Sequence, residues 1–277
     1  MRIDSHQHFW KYNPIRDAWI DSSMGAIKKD FLPKDLSPLL QKHFFDGCIA
    51  VQAGQSEEET EFLLKLAKEN PFIKGVVGWV DLRNKNVKER LQYFSQNKLF
   101  KGVRHIVQAE KDDHFMLGSS FMNGIGKLEL FNLTYDILVY PNQLQAAVGL
   151  VGRFPRQKFI LDHIAKPRIS EGVDHHWLNN IQLLASNQNV SCKISGMVTE
   201  TNDFKWKKSD FAPFLKAIVS AFGVDRILFG SDWPVCLLAA QYKDVLEIIK
   251  DYFETYSSDD IDKILGGNAT RIYNIKP

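Results

Sequence analysis

The stretch Arg226-Ile227-Leu228-Phe229-Gly230-Ser231-Asp232 is a short apolar run that ends in a carboxylate. Its apolar side chains fall on both faces of an extended chain, as do those of Phe159-Ile160-Leu161, and such runs are typical of parallel strands buried on both sides. Comparable runs elsewhere bring the number of predicted strands to eight: Arg2–His6, Gly47–Ala53, Phe72–Asp81, Phe100–Val107, Leu133–Tyr140, Lys158–Ile164, Val190–Ser195 and Arg226–Asp232.

Segments with helical spacing separate these strands. Ser56 precedes three glutamates, which is a good N-terminal cap with acidic residues on the first turn. Other segments with helical spacing are Leu144–Phe154, Trp177–Ala185, Phe211–Phe222 and Val245–Phe253. Strand–helix alternation repeated eight times predicts one α/β domain over residues 1–277, a distorted (β/α)8 TIM barrel. A doubly wound open sheet is the alternative.

The amino-acid composition bears on whether the protein binds nucleic acid or a membrane. Lys and Arg number 35 against 33 Asp and Glu, a net charge of +2, so the sequence offers no basic face for nucleic acid or an anionic membrane. Three widely separated cysteines without CxxC spacing favour a reducing compartment. No stretch resembles a signal peptide or a membrane span, so we predict a cytoplasmic protein. The oligomeric state, monomer or dimer, is left open.

The region from about 9 to 38 interrupts the alternation and is predicted to be a long first βα loop. It is rich in aromatic residues, Trp19 among them, and is therefore too apolar to be disordered. A long loop in a compact domain is usually functional. We interpret it as a lid or specificity wall over the active site, with a hydrophobic brace as the alternative.

The pair His6 and His8 is the sharpest local signal. Side chains two residues apart on a strand point the same way, so Asp4, His6 and His8 are expected to share the interior face. Two imidazoles there can bind one metal ion or one anionic group. In a closed barrel Asp232, at the end of the last strand, lies near them, where it can accept a proton or bind a metal.

Other polar residues follow or interrupt the predicted strands. His163 is expected to face inward as an acid, a ligand or an oxyanion donor, and its neighbour Asp162 to face the other way. Arg104 lies in a Val- and Ile-rich strand and meets either a barrel carboxylate or a substrate anion. Lys193 is either an ion-pair partner of Asp4 or a site residue. Two further residues could face the substrate: Tyr140 and Glu200.

Five stretches, in order, resemble the amidohydrolase superfamily, and within it the branch that contains sugar-lactone hydrolases. They are Ile3-Asp4-Ser5-His6-Gln7-His8-Phe9-Trp10, Lys101-Gly102-Val103-Arg104-His105, Leu161-Asp162-His163-Ile164-Ala165-Lys166-Pro167, Cys192-Lys193-Ile194-Ser195-Gly196 and Phe229-Gly230-Ser231-Asp232-Trp233-Pro234. The resemblance implies that water attacks a carbonyl with Asp232 as general base. The expected catalytic residues are Asp232, His163, Arg104 and His105, the expected substrate-binding residues are Trp19, Tyr140, Glu200 and Trp233, and the expected metal ligands are His6, His8 and Asp232.

The sequence departs from binuclear members of the superfamily, which carry a bridging lysine or glutamate on strand four and a histidine on strand five. Here strand four offers Arg104 and His105, and strand five ends in Val139-Tyr140-Pro141. One divalent metal, with zinc as the candidate, or none is therefore expected. The predicted reaction is the opening of a small-molecule sugar lactone, such as L-fuconolactone, to its acid. The alternatives are a metal-dependent decarboxylase or amide hydrolase, or a non-catalytic sugar-acid-binding barrel.

Overall fold

A computed structural model describes residues 1–276. Its eight strands are all parallel and pair in chain order, each with its neighbour along the sequence. The strands are β1 Ile3–Gln7, β2 Gly47–Val51, β3 Ile73–Gly78, β4 Phe100–His105, β5 Thr134–Ile137, β6 Phe159–Leu161, β7 Val190–Ile194 and β8 Ile227–Phe229.

The barrel closes between β1 and the residues that follow β8. The amide of Asp232 donates to the carbonyl of His6 at 2.8 Å, and the amide of His8 donates to the carbonyl of Trp233 at 2.7 Å. These two bonds continue the parallel ladder past the end of β8, which is short. The predicted TIM barrel is thereby confirmed, and the open-sheet alternative is excluded.

Helices surround the barrel. They are α1 Pro33–Lys42, α2 Glu57–Glu69, α3 Val87–Ser95, α4 Ser119–Leu128, α5 Leu144–Arg153, α6 His175–Ala185, α7 Lys208–Phe222, α8 Tyr242–Tyr252, α9 Ser258–Asp262 and α10 Asn268–Ile272. The predicted cap of α2 is confirmed, since Ser56 Oγ accepts a hydrogen bond from the amide of Glu59 at 3.1 Å. Within residues 1–276 no helix is both long and apolar enough to span a bilayer.

Two apolar layers hold these elements together. The larger lies between strands and helices, and the smaller fills the lower part of the barrel. The smaller layer includes Ile49, Val77 and Leu228 from the strands and Ile272 from α10. The C-terminal segment thus covers the end of the barrel at which the strands begin, and the polar side chains collect at the opposite end.

A bulge in β1 corrects the predicted orientation of Asp4. Between Asp4 and Gln7 the chain advances three residues while β2 advances two, from Cys48 to Ala50. The extra residue breaks the two-residue alternation. Asp4 therefore lies on the helix side of the strand, beside Tyr242 of α8, while His6 faces the barrel interior.

The predicted loop of residues 9–38 contains more regular structure than expected. A short 3-10 helix covers Ser22–Ile27, and α1 already begins at Pro33. Trp10 pairs with Phe31 through two backbone hydrogen bonds and packs edge-on against its ring. These contacts hold the segment folded back on itself at the carboxyl end of β1.

Candidate active site

Three histidines surround one carboxylate at the carboxyl ends of the strands. Oδ1 of Asp232 lies 3.2 Å from Nε2 of His8, 3.7 Å from Nε2 of His6 and 3.9 Å from Nε2 of His163. All four side chains are at least 95% buried. The closure of β1 on β8 brings the paired imidazoles to the late carboxylate, as the sequence predicts.

A left-handed turn after β6 places His163. The residues from His163 to Lys166 all have positive φ values, between 49° and 60°. The strand alternation therefore ends at Leu161, and Asp162 and His163 both turn into the barrel. The expectation that Asp162 faces away is wrong for this reason. The ring is held by its Nδ1, which lies 2.9 Å from Oγ of Ser195.

A buried charge network lies directly beneath these histidines. Arg104 donates from Nη1 to Oδ2 of Asp162 at 3.0 Å, and the ammonium of Lys193 lies 3.0 Å from Oδ1 of the same carboxylate. Lys193 also contacts Asp136 at 2.5 Å and Nδ1 of His6 at 3.2 Å. Lys193 therefore pairs with Asp136 and Asp162 and not with Asp4. Arg104 meets a barrel carboxylate and also lines the cavity.

Burial sets the charge state of the site. It is the main cause that lowers the pKa of His6 well below its ordinary value and the pKa of His163 to about 4. Burial raises the pKa of Asp232, but His163 and the hydrogen bond with His8 outweigh it and hold that pKa below its ordinary value. At neutral pH the imidazoles of His6 and His163 are therefore neutral, and the carboxylate of Asp232 is ionised.

His6, His8 and Asp232 fit a divalent cation, because one donor atom from each lies within 4.8 Å of the others. Nδ1 of His8 lies 2.7 Å from the carbonyl oxygen of Val51 and donates to it, so Nε2 is the ring nitrogen available to a metal ion. Behind His6, its Nδ1 is 3.3 Å from Oδ1 of Asp162. His6, Asp162 and His163 form a second such group.

A cavity of about 260 Å³ opens onto these residues. Its lining includes His8, Arg104, His163 and Asp232, and the ring of Trp19 from the first loop forms part of its wall. A polar groove of about 880 Å³ adjoins it and contains Tyr140 and Glu200. Lys166 lines both spaces and lies 3.0 Å from Oε1 of Glu200.

Two predicted site residues, His105 and Trp233, point away from the histidine and carboxylate cluster. His105 follows Arg104 on β4 and so faces the helices, where Nε2 lies 2.7 Å from Oε1 of Glu110 and the ring stacks on Phe115. Trp233 is 2% exposed and packs edge-on against Phe9 and Phe31. Neither side chain contributes to the lining, so the structure does not bring them to the reacting groups.

Sequence reasoning left three residues of the site without a role: Gln108, Asp162 and Lys166. Asp162 and Lys166 both lie in Leu161-Asp162-His163-Ile164-Ala165-Lys166-Pro167, the stretch that resembles the amidohydrolases. The resemblance was the available signal, since four consecutive left-handed residues are not predictable from alternation. Gln108 carries no comparable signal.

Comparison with known proteins identifies relatives that match almost the whole chain. The sequence model of the amidohydrolase family matches residues 3–275. An L-fucono-1,5-lactonase of Burkholderia multivorans is 38% identical over 99% of this chain and 96% of its own length. An enzyme of the same name from Burkholderia ambifaria is 33% identical over the same shares.

Proteins of known structure also match this chain over almost its whole length. A crystal structure of an amidohydrolase from Burkholderia multivorans with bound zinc matches with a TM-score of 0.96 at 37% identity, over 100% of both chains. A probable 2-pyrone-4,6-dicarboxylic acid hydrolase from Acinetobacter baumannii, 16% identical, shares the fold with a TM-score of 0.81.

Proposed function

The chain belongs to the amidohydrolase family, and on that premise we propose that it hydrolyses a sugar lactone to the open-chain acid. The observation that carries the proposal is the convergence of His6, His8 and His163 on the carboxylate of Asp232 at the floor of a cavity. Two relatives that match almost the whole chain are named L-fucono-1,5-lactonases, so L-fuconolactone is the first candidate substrate.

Asp232 acts as general base. Its carboxylate is ionised at neutral pH and points into the cavity, so it can take a proton from a water molecule as that water adds to the ester carbonyl. The resulting tetrahedral intermediate collapses by breaking the bond to the ring oxygen. The proton held by Asp232 passes to that oxygen, which leaves a hydroxy acid and regenerates the carboxylate.

Arg104 and His163 stabilise the oxyanion that forms on the carbonyl oxygen. Arg104 has its guanidinium at the cavity wall, held by Asp162 behind it. We assign Oγ of Ser195, 2.9 Å away, as the donor to Nδ1 of His163, which puts the ring proton on Nε2, the atom on the side of Asp232 and the cavity. Such donors are worth roughly 3–4 kcal/mol each in known enzymes, because they are already oriented when charge develops.

His6, His8 and Asp232 would hold one divalent metal ion, with zinc as the candidate, since a relative of 37% identity has been solved with bound zinc. A bound zinc ion polarises a carbonyl oxygen and lowers the pKa of water. The protein's own part is to fix the ligands. The carbonyl of Val51 orients His8, and Asp162 lies behind His6.

The test is acid release, followed with a pH indicator, across a panel of six-membered and five-membered aldono-lactones. The panel is run with the purified protein as isolated, after chelation, and after zinc is added back. We expect rapid opening of L-fuconolactone or a close stereoisomer. Release of no acid from any lactone under all three conditions would reject the proposal.

A further inference from the structure

The carboxamide of Gln108 holds an unused acceptor beside the reaction cavity. Gln108 lines that cavity, and its Oε1 atom is buried without a hydrogen-bond partner among residues 1–276. A buried polar atom of this kind costs about 1–3 kcal/mol unless a ligand or water satisfies it. Because Gln108 belongs to the cavity wall, a hydroxyl of a bound ligand can supply the missing partner.

Most of the remaining wall is apolar. The polar lining residues are Gln108, Lys166 and the four residues placed at the reacting carbonyl, which are His8, Arg104, His163 and Asp232. The other lining side chains are apolar or aromatic: Trp19, Ala53, Ile106, Ala109, Leu138 and Val235. Burying a hydroxyl group against such side chains without a partner is unfavourable. Gln108 and Lys166 therefore offer polar partners to ligand hydroxyl groups along this wall.

Lys166 supplies donors at the edge of the cavity. The left-handed turn after β6 places it there, and its side chain is 17% exposed. One ammonium hydrogen bond goes to Glu200 at 3.0 Å, and a lysine has three donors, so others remain for a ligand. Of the described residues, Lys166 alone lines both the reaction cavity and the adjoining groove.

We propose that Gln108 and Lys166 determine specificity by recognising two hydroxyl groups of the substrate that lie away from the ester. Gln108 accepts a hydrogen bond from one hydroxyl, and Lys166 donates to another while Glu200 holds its ammonium in place. The ligand class is a polyhydroxylated lactone, and unsubstituted lactones are poor substrates. This inference rests on the proposed lactone hydrolysis.

The test compares an aldono-lactone that the enzyme opens with its monodeoxy analogues, each lacking one ring hydroxyl. In the unmodified protein we expect kcat/KM to fall roughly tenfold or more for two of the analogues. Gln108→Leu and Lys166→Met should each abolish the discrimination against one analogue, mainly through KM. Gln108→Glu, which keeps an acceptor, should retain it. Gln145→Leu and Lys216→Met on exposed helix surfaces are the matched controls.

The possible failures are distinguishable. If no lactone is opened, the proposed function fails. If lactones are opened but the deoxy analogues react as well as the parent in the unmodified protein, this inference fails even where a variant does not fold. Variants that lower kcat/KM equally for the parent and for every analogue would also overturn it, since a structural effect does not depend on a substrate hydroxyl.

Discussion

The ammonium nitrogen of Lys193 lies 3.0 Å from Oδ1 of Asp162, and neither side chain is exposed to solvent. Asp136 contacts the same nitrogen from the other side and also accepts a hydrogen bond from Tyr273 at 2.9 Å. Through Lys193 and Asp136, His6 is therefore connected to the C-terminal segment that covers the end of the barrel at which the strands begin. Removing Lys193 from this network leaves Asp136 buried without its cationic partner, while Asp162 keeps its ion pair with Arg104.

Lys193→Met should therefore lower the free energy of unfolding by roughly 3–5 kcal/mol, measured by urea denaturation at pH 7. Lys193→Met combined with Asp136→Asn should cost less than the single substitution, because the second change removes the carboxylate that the first leaves without its cation. A double variant that is less stable than Lys193→Met would contradict this account of the network.

Asp232→Asn should leave the fold intact and reduce kcat on the best lactone by roughly 100-fold to 10 000-fold. The amide keeps the shape of the side chain and an acceptor near His8, but it cannot accept a proton from water. The measurement pairs steady-state kinetics with circular dichroism and thermal unfolding. Near-normal turnover in a folded Asp232→Asn variant would remove Asp232 from the mechanism.

Gly196→Ala should reduce activity through His163. A Cβ atom at this position would lie 2.5 Å from Nδ1 of His163, so the ring must move away from Ser195. Gly223→Ala is the control, because Gly223 also has a positive φ, of 66°, and a Cβ there meets nothing within 4 Å. Both substitutions strain the backbone, but we expect only Gly196→Ala to lower kcat/KM per folded molecule. Equal activity losses would point to strain alone.

The sequence predicts the ring of strands well because several strands, such as Phe159–Leu161 and Ile227–Phe229, are short runs with apolar side chains on both faces. It also predicts the meeting of His6, His8 and Asp232, since that follows from closure of the ring. Strand ends are predicted less well. The run Lys158–Ile164 gives a strand of only three residues, because the chain turns left-handed at His163.

The errors in side-chain direction share one cause. Alternation along a strand predicts direction only while the strand is regular, and it fails at Asp4, beyond which β1 bulges, and at Asp162, where β6 has ended. Alternation does separate Arg104 from His105, since β4 stays regular up to His105 where it pairs with β5. The sequence did not reveal which of these strands would be interrupted.

Zinc titration tests the proposed ligands directly. We expect one zinc ion per chain by metal analysis after dialysis, and a loss of that ion or a large fall in affinity in His8→Ala. His114→Ala, which changes an exposed histidine far from the cavity lining, should bind zinc as the unmodified protein does. Two tightly bound ions per chain, or unchanged binding in His8→Ala, would contradict the assignment of one ion to His6, His8 and Asp232.

Asp4→Asn should stabilise the protein at pH 8 and have little effect at pH 4. Burial raises the pKa of Asp4 from 3.8 to about 6, despite the hydrogen bonds from Ser231. The folded state therefore holds a proton that the unfolded state has lost between those values, and stability falls as the pH rises through that window. At roughly 1.4 kcal/mol per pKa unit the cost above pH 6 is roughly 3 kcal/mol.

Asp4→Asn removes the cost of ionising a buried carboxyl group and keeps the two hydrogen bonds that this side chain accepts from backbone amides. Oδ1 of Asp4 accepts from the backbone amides of Ser231 at 2.9 Å and His6 at 3.2 Å, and an amide oxygen can accept both. Oδ2 has no hydrogen-bond partner within the described part of the chain, so Asp4→Asn loses at most weak contacts with the side chains of Ser231 and Tyr242. The gain should appear as a difference in urea midpoint between variant and unmodified protein that grows from pH 4 to pH 8. An equal loss of stability at both pH values would show that the carboxylate is needed as an acceptor and is not a buried charge that destabilises the fold.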